Sequence, residues 1–338
     1  MDKTKSLLTI CIPTYNRADC LDSILELMCP LCQENMVMIC ISDNASSDNT
    51  SQIVENYAQK YDIVRYHRHE RNIGSDDNFE FVLKMADTKY RWLMSDTCYI
   101  DEVETVLNDL SHSDFDAYIL NGGDGTRHQY LPKQKKVYQD PISLMDEIGW
   151  HLTWISCMIY NEWMIKSMDF KRYRDSCFNQ TALMFDPLAN KRCNICFNAD
   201  FRVQNLTVQK ESGWLYHVFD IMYRQWYLLI MSLPIYYPYK TKIKCISDSA
   251  NKAALLGLYF HMKRRGEGKW NLHDVIKNKT FIKQADGGYY RLLLLGLSPQ
   301  IVARWITNAI DMIIRLMKKN NKIRMIGKRV LNYYISKK

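Results

Sequence analysis

Through the first hundred positions, apolar residues gather in short runs, and each run stops at a polar or turn-forming residue. Leu7–Ile12 is rich in β-branched side chains and ends at Pro13, which suits a buried parallel strand. Met36–Ser42, Ile63–Tyr66 and Tyr90–Met94 repeat the pattern. Between them the period changes. Leu21, Ile24, Leu25 and Met28 recur at helical spacing, as do Ile53, Val54, Tyr57 and Ala58, and then Phe79, Val82, Leu83 and Ala86. Asn16 stands where a cap is needed, and Gly74 marks a turn. The order β-α-β-α-β-α-β predicts an α/β fold with a doubly wound, mostly parallel sheet, and such sheets bind ligands at the carboxyl ends of their strands.

Beyond residue 101 the rhythm changes. Asp116–Leu120 reads as a strand leading into the loop Asn121–Gly125, and Leu152–Tyr160 as an apolar and aromatic strand introduced by Trp150 and Trp154. Leu215–Ser232 reads as a helix within an aromatic-rich stretch, and 249–298 as further helices. From Ile301 a helix places Arg304, Asn308, Asp311, Arg315 and Lys318 on one polar stripe, with Ile301, Val302, Trp305, Ile306, Ile310, Ile313 and Met317 on a wide apolar face. The expected divisions are 1–100, 101–240, a helical extension 241–300 and a basic tail 301–338.

Polar chemistry sits where the apolar runs stop. Four blocks follow in order: Thr9–Arg17 (with Pro13-Thr14-Tyr15-Asn16-Arg17), Ile41–Thr50 (with Asp43-Asn44), Arg71-Asn-Ile-Gly74 and Arg91–Asp96. Together they resemble the nucleotide-binding half of a family 2 glycosyltransferase of the GT-A fold. In flavour they are closest to bacterial enzymes that build O-antigen or capsule, abequosyltransferase-like proteins among them. The resemblance implies that Pro13, Thr14, Tyr15 and Arg17 line a donor pocket. It implies that Asp43 accepts from the imide of uracil or thymine, that Arg71 supports the base and approaches the diphosphate, and that Asp96 holds ribose and sugar. The donor is then a UDP or dTDP sugar, and the acceptor a hydroxyl of a lipid-linked oligosaccharide, reached by inverting transfer. Alone, an Asp-Asn pair reads first as a helix or turn cap, and it is the four blocks in order that reverse this. Trp150 and Trp154 are in place to floor an acceptor cleft, although an aromatic stripe also serves as core.

The pattern departs from the family at two points. Where the family carries several carboxylates, the chain reads Ser95-Asp96-Thr97-Cys98, which leaves Mg²⁺ or Mn²⁺ a weakly held cofactor. Where inverting members carry a Glu-Asp pair opening a helix, the chain offers Asn179-Gln180, and an amide takes no proton at neutral pH. Asp175 and Asp186 lie nearby, and the base is unassigned. A non-catalytic, glycosyltransferase-like subunit that binds nucleotide or a partner is the alternative.

Charge and cysteine content refine the picture. Residues 301–338 carry ten Lys or Arg and one acid, a net +9. With a chain total of +8, the first 300 residues sum to −1. A basic tail on a neutral body points to an anionic surface. Its broad apolar face favours the cytoplasmic face of a membrane, bound peripherally, over nucleic acid. The eleven cysteines lack scaffold spacing, so reduced thiols in a cytosolic chain are expected. Only if Cys29/Cys32 met Cys193/Cys196 would they make a four-thiolate zinc site.

Overall fold

A computed structural model describes residues 6–122, 127–206, 213–252 and 257–319. The expected tail beyond residue 319 and most of the expected loop at 121–125 lie outside the described residues.

The first hundred residues alternate as their pattern predicts: β1 (Leu8–Thr14), α1 (Ala18–Glu34), β2 (Met38–Asp43), α2 (Thr50–Lys60), β3 (Val64–Arg68), α3 (Ser75–Met85) and β4 (Tyr90–Leu93). Next come β5 (Cys98–Tyr99), α4 (Glu104–His112), β6 (Ala117–Gly122), β7 (Lys136–Tyr138) and α5 (Pro141–Ile148). Then follow β8 (Met158–Asn161), α6 (Glu162–Ser167), α7 (Asn179–Phe185) and the long β9 (Ile195–Asn205). The rest is helical: α8 (Trp226–Ser232), α9 (Tyr239–Lys252), α10 (Leu258–Gly266), α11 (Leu272–Lys277), α12 (Lys279–Gln284), α13 (Tyr289–Leu297) and α14 (Gln300–Lys319).

The strands lie in the order β3-β2-β1-β4-β8-β6-β9, with β5 and β7 both paired to β9. The first four are mutually parallel, β8 is antiparallel to both neighbours, and β6 and β9 are parallel again. Alternation along β1 divides the core. Leu8, Ile10 and Ile12 pack beneath Leu21, Ile24 and Met28 of α1, while Cys11 joins Val82 and Leu83 of α3 on the opposite face.

Two expected elements differ. Within the expected strand Leu152–Tyr160, the segment Gly149–Thr153 forms a 3₁₀ turn and Ile155–Cys157 another, so the strand begins only at Met158. The Thr153 hydroxyl closes its turn on the Trp150 carbonyl at 3.2 Å. An apolar run buried on all sides carries no periodicity to separate turn from strand. The expected helix Leu215–Ser232 is 3₁₀ over Gly213–His217, π over Asp220–Gln225 and α only from Trp226. All eleven cysteines are free thiols. Cys29 and Cys32 are buried in α1, and no three His, Cys, Asp or Glu among the described residues form a metal-sized group, so the two Cys pairs build no zinc site.

The C-terminal helix docks in the reverse of the usual sense. Ala303 and Thr307 are buried, Arg304 donates to the Gly266 carbonyl at 2.9 Å, and Asp311 takes Tyr259 and Lys263 of α10. The helix therefore docks through Ala303 and Thr307, with Arg304 and Asp311 bonded to the body beside them. Ile301, Trp305, Ile306, Met312, Ile313 and Leu316 face outward, Trp305 with 67% of its surface open. No described helix is long and apolar enough to cross a membrane.

Candidate active site

The chain steps outward from β1 through β2 to β3, then returns to lay β4 on the other side of β1. Between β1 and β4 the direction of winding reverses, which opens a crevice beyond their carboxyl ends. Two side chains close its floor. Thr14 ends β1, and its hydroxyl donates to Asp96 Oδ2 at 2.9 Å. Asp96 follows β4. Burial pushes its carboxyl up to about 6, against the opposing pull of the Thr14 hydroxyl and the Arg17 charge. The approach to Asp96 is pinned from below, with Ser95 N–H bonded to Ser156 Oγ at 3.0 Å and the Trp92 indole N–H to the Ser156 carbonyl at 2.9 Å.

The cavity above Asp96 has a volume of about 310 Å³ and is lined by Pro13 and Thr14 from β1, by Tyr15 just after it, and by Ser75, Asn78 and Phe79 from α3. Tyr15 leaves 47% of its surface open, an unpartnered aromatic face at the rim. Asn44 and Asn72, which the sequence reading passed over, complete the wall. Asn44 ties the β2 loop to α3: its amide donates to Asn72 Oδ1 and the Gly74 carbonyl, both at 3.1 Å, and accepts from Ile73 N–H at 2.8 Å. Gly74 turns the chain at φ +89, a conformation that costs a residue with a Cβ dearly. An Asn directly after a strand, answered by Asn-x-Gly after the next, was the available signal.

Other expected residues fall elsewhere. Asp43 is fully enclosed and does not line the cavity. Its Oδ1 accepts from Ser46 N–H at 2.8 Å and its Oδ2 from the Tyr66 hydroxyl at 2.9 Å, so both oxygens are used inside the fold. Arg68 stands 3.7 Å from that carboxylate and donates to the Ser46 carbonyl. Arg71 is exposed and forms no hydrogen bond or ion pair among the described residues. Arg17 borders an adjoining depression with Asp48 and Cys20. Trp150 cannot floor a sugar site, because it is wholly buried with its indole N–H on the Glu147 carbonyl at 3.2 Å. Trp154 is half-buried beside the cavity-lining Ile155 and lies across Gly122 so closely that a methyl there would overlap its ring.

Residues 9–169, which contain β1 through α6 and the whole crevice, match the model of glycosyl transferase family 2. This segment is a family 2 glycosyl transferase domain. A curated relative, abequosyltransferase RfbV of Salmonella typhimurium, is 33% identical over 118 residues. That alignment spans 34% of this chain and about a third (35%) of the relative's own length. Among solved structures, S. aureus TarS residues 1–349 in complex with UDP-GlcNAc superposes with a TM-score of 0.54 at 14% identity, over 86% of this chain and 90% of that one. Mannosyltransferase PcManGT from Pyrobaculum calidifontis, in complex with GDP-Man and Mn²⁺, gives 0.53 at 12%, over 91% and 88%. These likenesses establish the fold as GT-A.

In this family 2 domain, the side chains around Asp96 do not fit a divalent ion. Ser95 and Thr97 supply hydroxyls bonded to each other at 3.0 Å, and Cys98 is buried with its thiol on Asn205. A hard cation prefers several anionic oxygens, and Asp96 is the sole carboxylate at this turn. Beyond the domain, α7 opens with Asn179 and Gln180, both buried. Asp186 is bonded to the Tyr173 hydroxyl at 2.6 Å and paired with Arg172, while Arg174 holds Asp77 at 2.7 Å. Asp175 is exposed.

Proposed function

We propose that the chain transfers a glycosyl unit, with inversion, from a nucleoside diphosphate sugar of the UDP or dTDP type to a hydroxyl of a lipid-linked oligosaccharide in surface polysaccharide synthesis. The meeting of Thr14 and Asp96 at the point where the winding reverses carries this reading. A nucleoside stacks on the open Tyr15 face, and the exposed Asn72, held in place by Asn44, presents a neutral amide to ribose and phosphates. Asp43 acts from behind by fixing the loop that carries Asn44. Arg17, whose charge reaches Asp96, supplies positive potential toward a leaving diphosphate. No step passes through a metal.

The outward apolar face of α14 supports a second part of the reading. A helix that docks through Ala303 and Thr307 and leaves Trp305 and Ile313 open is suited to lie in a membrane interface. The basic residues that follow favour an anionic leaflet, which sets the crevice near a lipid-linked acceptor.

Release of nucleoside diphosphate from a panel of UDP and dTDP sugars, with and without EDTA, tests the reaction. Release that depends on Asp96 and survives EDTA is the expected result. Product formation absent with every donor and acceptor, alongside intact nucleotide binding, would favour a binding subunit.

A further inference from the structure

Transfer to a hydroxyl requires a group that takes the hydroxyl proton, and most carboxylates around the crevice are already committed. Asp43 spends both oxygens inside the fold, Asp96 holds Thr14, Asp77 is paired with Arg174, Asp186 with Tyr173 and Arg172, and Asp220 with Arg224. Asp76 differs from all of them. It is 5% exposed and its Oδ2 accepts the Cys177 N–H at 3.2 Å, while its Oδ1 has no hydrogen-bond partner. No lysine or arginine pairs with it among the described residues. A buried carboxylate oxygen left without a partner is costly to keep unless it serves a purpose.

It does not itself line the donor cavity but sits in α3 among residues that do, packed against the segment that opens α7. Ser75 and Asn78, on either side of it in α3, line the cavity. Across from it, Asn179 of α7 donates to the Asp76 carbonyl at 3.5 Å. The turn that delivers the Cys177 N–H is strained: Asp175 and Cys177 both adopt left-handed backbone, with φ of 64 and 62. Left-handed backbone is unfavourable for a residue with a Cβ, and strain of this kind collects at working sites.

Given the donor reading above, we propose that Asp76 is the proton acceptor of the transfer, through Oδ1. The acceptor oxygen bonds to the anomeric carbon as the bond from that carbon to the diphosphate oxygen breaks, its electron pair leaving on the diphosphate. The hydroxyl proton passes to Oδ1 and then to water. Because Oδ1 is shut off from water in the free chain, entry of the acceptor must part the contact between α3 and the 175–179 segment. Burial pushes the Asp76 carboxyl up to about 6, with the Cys177 and Ser176 N–H groups holding it down and the Asp175 and Asp77 charges adding to the rise. Arg174 on Asp77, and the Asp220–Arg224 pair beyond the Cys177 thiol, are the other charges that face this corner. A carboxylate in this range is ionised at neutral pH, yet more basic than an ordinary aspartate.

The test uses the full chain with UDP-glucose, UDP-galactose and dTDP-glucose, with water and octyl glycosides as acceptors, read as released nucleoside diphosphate. Asp76→Asn should lower turnover by about a hundredfold or more and leave the acid limb near pH 6 to Asp96 alone, as a single ionisation instead of two. UDP affinity by calorimetry should stay within about threefold, and Asp76→Glu should recover part of the rate. Turnover of Asp76→Asn within about fivefold of the parent would overturn the assignment. So would a loss of UDP binding in parallel with rate, which would make Asp76 a support of the donor loop. Wild-type protein that binds neither UDP nor dTDP, or releases nothing from any donor, overturns the donor reading itself, and this assignment with it.

Discussion

Asp76 and Asp43 are both buried carboxylates, and the fold treats them oppositely. Asp43 receives two donors and stands near Arg68, so its charge is compensated. Removing it by Asp43→Ala strands the Ser46 N–H and the Tyr66 hydroxyl, and urea unfolding should show a loss of about 1–3 kcal/mol, with nucleotide binding weakened through the loop. Asp76 is undercompensated, and its carboxyl is raised to about 6, chiefly by burial. In the unfolded chain an aspartate titrates near 3.9, so the native state binds the proton more tightly. Asp76 therefore favours the native state most below about pH 4, and that contribution is lost as pH rises through about 6. Above that point the ionised side chain is a liability that Asp76→Asn removes. The variant should be more stable than the parent near pH 8, by about 3 kcal/mol at most, and show no such gain near pH 4. A variant less stable than the parent at both pH values would mean that the Cys177 contact outweighs the buried charge.

At the scale of elements, the half of the site carried on β1, β2, α3 and β4 was legible in the sequence. Short apolar runs ending in Thr14, Asp43 and Asp96 fix the strand ends, and helical spacing fixes what lies between. Which of those polar residues would face the cavity was not legible. Asp43 and Asn44 are chain neighbours with opposite roles, and that choice is made by Tyr66 and Ser46 on one side and Asn72 on the other. Neither was the contact between Asp76 and Cys177, which joins residues a hundred positions apart. Trp150 and Trp154 share one turn and one residue type, yet only the second reaches the neighbourhood of the crevice. Its position depends on Gly122 at the end of β6. Gly122→Ala should force the indole aside, cost about 1–3 kcal/mol by overpacking, and shift the tryptophan emission, all measurable in one fluorescence-detected unfolding curve.

For the whole molecule, the open face of α14 sets how the chain meets its surroundings. Periodicity announced the helix, but only packing reveals that Ala303, Thr307 and Asp311, not the wide apolar face, turn inward against α10. Full-length protein should float with vesicles of phosphatidylglycerol and phosphatidylcholine at low salt, and detach as salt rises. Trp305 emission should shift to the blue on binding, and Trp305→Asp with Ile313→Asp should abolish flotation while leaving UDP affinity unchanged. Protein that ignores anionic vesicles, yet sediments as a dimer until those two residues are replaced, would assign the face to a second copy instead.

The thiols carry a practical consequence. Nine of the eleven cysteines are buried, and the two partly open ones, Cys20 and Cys177, border the depression beside the donor crevice and the Asp76 corner respectively. Burial raises both above an ordinary thiol, Cys177 to about 11, so they should alkylate slowly, and only from the folded surface. The native chain thus comes with a chemical reporter at each end of its reaction path. The order in which occupancy protects Cys20 and then Cys177 from iodoacetamide, followed by peptide mass mapping, would record the order in which donor and acceptor arrive.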